Sequence, residues 1–174
     1  GNVVNPDEMV ERFGADTMRL YEMFMGPFDQ AIAWSTNGLV GMRRFLERVW
    51  ALSESVDESV PGPEIESMLN RTVKKVGEDI ESMKFNTAVS ALMIYANHVG
   101  ALPKVPKRAY ETLLLALAPF APHIAEELWQ GMGHRTSIHA EPWPSYDPEK
   151  LVGRVQTIAV QVAGKTKGTI EVPS

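Results

Sequence analysis

The sequence predicts a mainly α protein, an up-and-down helical bundle followed by a short C-terminal β-hairpin. Three observations predict it. Apolar residues recur at helical spacing through most of the first 130 positions. All the prolines before residue 123 fall at the edges of those runs. Strict period-two alternation occurs only near the C-terminus, over 155–162 and 169–172.

In order along the chain, Asn5-Pro6-Asp7-Glu8 opens a first helix, with Asn5 as N-cap, Pro6 in the first turn and Glu8 placed as in a capping box. Gly14 ends it. Asp16 suits the positive end of a second helix, whose apolar side is Met18, Leu20, Tyr21, Phe24 and Met25 and which Gly26-Pro27 stops. A loop over 27–34 leads to Ser35 or Thr36, the cap of a longer helix reaching about Leu52. There Leu39, Met42, Leu46 and Val49 form the stripe, widened by Phe45 and Trp50. Residues 53–63 are polar, close on Pro61-Gly62-Pro63 and read as a linker.

The helix over about 64–83 sets Ile65, Leu69, Val76, Ile80 and Met83 on one face and Arg71, Lys74, Lys75 and Glu78 on the other. Asn86 or Thr87 opens a helix apolar nearly all round, from Ala88 to Val99, which belongs at the centre of a bundle. Pro106 begins a helix carrying Leu113, Leu114, Leu115 and Leu117. Pro119 and Pro122 then fix a sharp corner, Pro122 at a first helical position, and the next helix runs to Trp129. Residues 131–148 are irregular, broken by Pro142, Pro144 and Pro148. The closing hairpin is expected to turn over residues 163–168.

The chain has 174 residues, of which 44% are hydrophobic and 22% charged, the profile of a globular domain with a sizeable core. No run approaches the ~20 apolar residues that span a bilayer, and the start has no signal-peptide pattern. Cysteine is absent, which excludes disulfides and thiolate metal sites and fits a reducing compartment. A cytoplasmic location is expected. The net charge of -5 excludes loose binding to nucleic acid by bulk charge, so any such binding must use local basic clusters. Lacking an initiator Met and halting just after a strand, the sequence reads as a piece of a longer polypeptide.

Several segments, in this order, carry a family resemblance. Gly1-Asn2-Val3-Val4-Asn5-Pro6 resembles the stretch after the KMSKS loop of class I aminoacyl-tRNA synthetases, and Phe13-Gly14-Ala15-Asp16-Thr17-Met18-Arg19-Leu20-Tyr21 resembles the helix that follows. The run Met23 to Pro27, then Trp34-Ser35-Thr36-Asn37-Gly38-Leu39 and Arg44-Phe45-Leu46-Glu47-Arg48-Val49-Trp50, is similar to the leucyl branch. So are Phe85-Asn86-Thr87-Ala88-Val89-Ser90-Ala91-Leu92-Met93 and Val160 to Gly168, while the corner at 117–129 resembles the helical tRNA-binding domain shared by the leucyl, isoleucyl, valyl and methionyl enzymes.

The resemblance implies three parts: a stem-contact segment at 1–34, a helical anticodon-binding bundle at 35–148, and the start of a C-terminal β-containing domain at 149–174. It implies a docking role, positioning tRNA(Leu) for ATP-dependent aminoacylation. ATP and Mg2+ would act in a catalytic domain outside these residues, so this piece alone is expected to be catalytically inactive. The implied partners are tRNA(Leu) and the catalytic and editing domains of the same polypeptide, with no membrane. Isoleucyl, valyl or methionyl relatives are the alternative, which Gly164-Lys165-Thr166-Lys167-Gly168 speaks against. A helical protein-interaction module without an RNA role is the alternative of another class.

The candidate tRNA contacts follow from that resemblance together with local charge. Arg44 and Arg48, four apart on one helix, repel each other by about 0.2–0.5 kcal/mol, which a phosphate would relieve; the bland alternative is a solvated face. Arg43 adjoins them and can pair with Glu47. Lys104, Lys107 and Arg108 gather at a helix start, where the dipole disfavours cations and an external anion would help. Lys165 and Lys167 at the hairpin turn could touch phosphate or merely decorate an exposed turn. Trp34 could stack on a base, though anchoring of the loop is the favoured role.

Trp50 and Trp129 are expected in the core, and Arg71, Lys74 and Lys75 on a solvated face. His123 is expected to be structural. His134 and His139 lack the company that zinc requires. No catalytic residue, metal ligand or glycine-rich phosphate loop is expected: Gly38-Leu39-Val40-Gly41 falls inside a helix, and Glu126-Glu127 point in different directions.

Overall fold

A computed structural model describes residues 4–27, 29–151, 155–162 and 165–173, with side chains as far as Leu151. Residues 1–3, which open the family resemblance, and residues 163–164 of the expected turn lie outside it. Helices α1 (Pro6–Phe13), α2 (Ala15–Phe24), α3 (Thr36–Leu52), α4 (Pro63–Glu81), α5 (Phe85–Gly100), α6 (Lys107–Leu117) and α7 (Pro122–Gly131) precede a hairpin of β3 (Val155–Val162) and β4 (Lys165–Pro173). Two-residue strands β1 (Val56–Asp57) and β2 (Val105–Pro106) pair in parallel, Val56 with Val105 and Asp57 with Pro106. The mainly helical bundle with a hairpin is as the sequence predicts. No helix among the described residues is long and apolar enough to cross a membrane.

The helix starts obey local chemistry. The Asn5 side chain accepts the Asp7 N–H at 3.0 Å, and Ser35 accepts that of Gly38 at 3.3 Å. Gly14 joins α1 to α2 at φ 90°, a conformation a side chain would strain. α5 is the central helix, packed on α2, α3, α4 and α6, with Leu92, Tyr95, Ala96 and Val99 fully buried. Deep phenols end on backbone carbonyls: Tyr95 donates to Ala109 at 3.1 Å and Tyr110 to Val49 at 2.9 Å.

Three expectations need correction. Trp50 is 47% exposed, because α3 buries Leu39, Met42, Phe45, Leu46, Val49 and Leu52 and leaves Trp50 on the margin. Met83 lies beyond the end of α4 at φ 57° and is exposed. α5 begins at Phe85 without a side-chain cap; the Thr87 hydroxyl instead donates to Asp79 at 2.7 Å, pinning α5 to α4. α5 is central as expected, with Ile94 an exposed apolar residue on it. The linker over 53–63 is as predicted except that β1 ties it to β2.

α2 belongs to the same core, with Leu20 and Tyr21 buried. The Ser35 N–H donates to the Tyr21 hydroxyl at 2.6 Å, so α2 sets where α3 begins. Tyr21→Phe should therefore lower stability by about 1 kcal/mol, the worth of one hydrogen bond. Urea unfolding checks this, and a midpoint equal to wild type would refute it.

α2 also grips the corner between α6 and α7. Arg19 donates to the carbonyls of Pro119 at 3.0 Å and Phe120 at 3.3 Å. Asp16 accepts the Ile124 N–H at 2.7 Å and the His123 Nδ1–H at 2.8 Å. One helix thus satisfies the orphan carbonyls on one side of the corner and an orphan N–H on the other. His123 is structural, as expected.

Candidate nucleic-acid interface

The basic residues divide by whether the protein already neutralises them. Arg43 pairs with Glu47 at 2.8 Å and donates to the Phe13 carbonyl at 3.2 Å, fastening α3 to the end of α1. Arg44, one residue on, is exposed and has no hydrogen-bond or ion-pair partner among the described residues. Arg48 is exposed one turn further and donates to the Asn97 side chain on α5. Arg44 and Arg48 therefore form a cationic ridge that no carboxylate among the described residues quenches.

The second expected cluster is largely neutralised. Lys107 pairs with Glu58 at 3.0 Å, and Arg108 with Glu66 at 3.0 Å. Glu58 lies just past β1 and Glu66 in the first turn of α4; neither is near in sequence, so the anion expected beside this helix start comes from within the protein. The Lys107 ammonium is held in its charged form by Glu58. Burial pushes the Glu66 carboxyl up, but Lys150 and Arg108 outweigh it and leave the group below its ordinary value. Lys104 is exposed and carries the only charge of this trio without an ion pair among the described residues.

Trp34 is half-buried. Its ring meets Tyr21 edge-on at 4.8 Å and its Nε1–H reaches the Thr36 hydroxyl at 3.3 Å, the anchoring geometry the sequence favoured. Lys165 and Lys167 are not turn residues as expected: β4 begins at Lys165, paired with Val162. Gln161 pairs with Thr166 and Val160 with Gly168, so Lys167 is the extra residue of an irregularity in the ladder. On the expected solvated face, Lys74 pairs with Glu78 at 3.7 Å and Lys75 with Asp79 at 2.6 Å.

A cleft of about 390 Å³ opens beside the ridge, between the α1–α2 junction, α3 and the start of α7. Phe13, Leu46, Ile124 and the exposed Trp50 line it, with Arg43, Glu47 and His123 at its rim. His134 stacks on Trp129 at 3.7 Å and bonds Glu111 at 2.9 Å, a structural pairing. Among the described residues no three His, Asp or Glu side chains gather as a metal would require.

The family model for the anticodon-binding domain of tRNA ligase matches residues 63–174. The chain belongs to that family. Across 99% of its length the chain is also 49% identical to the leucine–tRNA ligases of two Leptospira biflexa serovar Patoc strains, of which it spans 21%. Its fold is similar to that of a LeuRS–tRNA–LeuAMS ternary complex from Agrobacterium radiobacter, with a TM-score of 0.83 and 34% identity. That likeness covers 99% of this chain and 25% of the other. The chain thus spans about a fifth of the curated relatives it matches, and α1 to α3 fall outside the family model but inside those longer likenesses.

Proposed function

We propose that this chain is the tRNA-docking part of a leucine–tRNA ligase, holding tRNA(Leu) while a catalytic domain elsewhere in the polypeptide aminoacylates it. The observation that carries the reading is the Arg44–Arg48 ridge: two cations a turn apart, neither paired with a carboxylate among the described residues, on a chain of net charge -5. Charge-assisted contacts to phosphate would remove their mutual repulsion. Arg43, Arg108 and Lys107 support the scaffold and contact RNA only at their outer edges. Lys104, Lys165 and Lys167 are secondary phosphate contacts, and Trp34 holds the loop before α3.

Likeness to leucine–tRNA ligases supports leucine as the amino acid and the cytoplasm as the setting. ATP and Mg2+ serve the catalytic half of the polypeptide. Docking contributes through position, because orienting a reactant removes part of its entropic barrier. We assign 1–34 to stem contact, 35–148 to the bundle and 149–174 to a C-terminal domain, with catalytic and editing domains as covalent partners.

Titration of this chain with leucine tRNA and a non-cognate tRNA tests the reading. From the two ridge contacts alone, raising salt fourfold should weaken binding roughly ten-fold. Failure to bind either RNA at low salt, or binding indifferent to salt, would remove the docking role. The apolar cleft beneath Trp50 favours the second reading, a protein-interaction module, for which salt-insensitive capture of a protein partner is the expected signature.

A further inference from the structure

We propose that residues 143–150 are a strap that fixes where the chain leaves the bundle for β3, with Asn70, Gly77 and Glu66 as its positioning residues. These three share one stripe of α4, spaced by four and seven. A Cβ on Gly77 would stand 3.3 Å from the Trp143 Nε1, so the missing side chain is what admits the indole. The Asp147 N–H donates to Asn70 Oδ1 at 2.6 Å. Lys150 Nζ meets Glu66 at 3.0 Å, on a carboxylate that also holds Arg108 of α6. As the strap advances from 143 to 150, its partners on α4 retreat from 77 to 66, an antiparallel register with three fastenings.

Asn70 is the informative member. It is 1% exposed, and a buried amide is costly unless both ends are paired. Its Nδ2 donates to the Glu66 carbonyl one turn back at 2.7 Å, and its Oδ1 serves the strap. An apolar residue would satisfy the helix and the core equally well. The amide is explained by the strap backbone.

The consequence is one of reach. With the strap seated, Leu151 is fixed, and Val155 at the start of β3 lies four residues on, within ~14 Å. Released back to Glu141, the same point could stand up to ~50 Å away. The effective concentration of the hairpin at a ligand held by the bundle then falls roughly six-fold, by the three-halves power of tether length. That last step rests on the tRNA-docking reading; the strap itself does not.

The chain has no cysteine, so Glu81→Cys on α4 and Thr169→Cys on β4 accept spin labels without competition. Electron–electron distance measurement should show a longer and broader distribution once Asn70→Leu is added. Gly77→Leu with Lys150→Glu displaces the same strap without touching the core, and circular dichroism verifies that each bundle is folded. Distances unchanged in both folded backgrounds would overturn the strap. Both backgrounds should also bind leucine tRNA roughly six-fold more weakly. Lengthened distances in a chain whose unmutated form ignores tRNA would leave the strap standing and remove the docking reading. Unchanged distances with intact tRNA binding would do the reverse.

Discussion

Asp16→Ala is expected to destabilise the bundle by about 3 kcal/mol, lowering its melting temperature by roughly 6–12 °C. The size follows from two losses at one site. The Ile124 N–H in the first turn of α7 loses its acceptor, and because Asp16 is only 7% exposed water replaces the carboxylate poorly there, which puts the cost at about 1–3 kcal/mol. His123 loses the partner of its Nδ1. Asp16→Asn keeps one acceptor oxygen and should fall between the two. Calorimetry on the three proteins decides the matter, and a melting temperature within 1–2 °C of wild type for Asp16→Ala would show that the corner holds itself.

The second large effect is on RNA affinity. Reversing both charges of the ridge, Arg44→Glu with Arg48→Glu, should weaken tRNA binding on the order of a hundred-fold and flatten the salt dependence by about two phosphate contacts' worth. Both side chains are exposed, so the melting temperature should stay close to wild type. Lys107→Ala is the contrasting variant: its ammonium already serves Glu58, so its loss should change affinity little. Equal losses from Lys107→Ala and the ridge variant would show that bulk charge, and not the unquenched pair, attracts the RNA.

Local signals in the sequence located most of the fold. Asn5, Ser35 and Pro122 mark helix starts by chemistry that acts within three residues, and the spacing of Leu39, Met42, Leu46 and Val49 gives the buried face of α3. What stayed hidden depends on partners far along the chain. Asp16 looked like a favourable charge at its own helix start, yet its carboxylate serves a backbone 108 residues away. Lys107 and Arg108 looked like a site awaiting an anion, because Glu58 and Glu66 are 49 and 42 residues distant. Trp50 shows the limit of periodicity: one residue beyond a fully buried Val49, it falls on the helix margin, and only packing decides which side covers it. Asn70 carried no signal at all, since an asparagine inside a helix reads as neutral until its buried partner is seen.

The grip of α2 on the corner also bears on how the protein is made. Synthesis is vectorial, and at roughly 5–20 residues per second the ribosome delivers Pro119 about 5–20 s after Arg19. Through that interval Leu20 and Tyr21, buried in the finished protein, have only part of their final surroundings. The nascent amino-terminal half is therefore a waiting intermediate with apolar surface uncovered, the kind of species that chaperones hold. Its completion depends on the arrival of one short stretch, Pro119 to Ile124, whose two prolines preset the bend that Arg19 and Asp16 close upon.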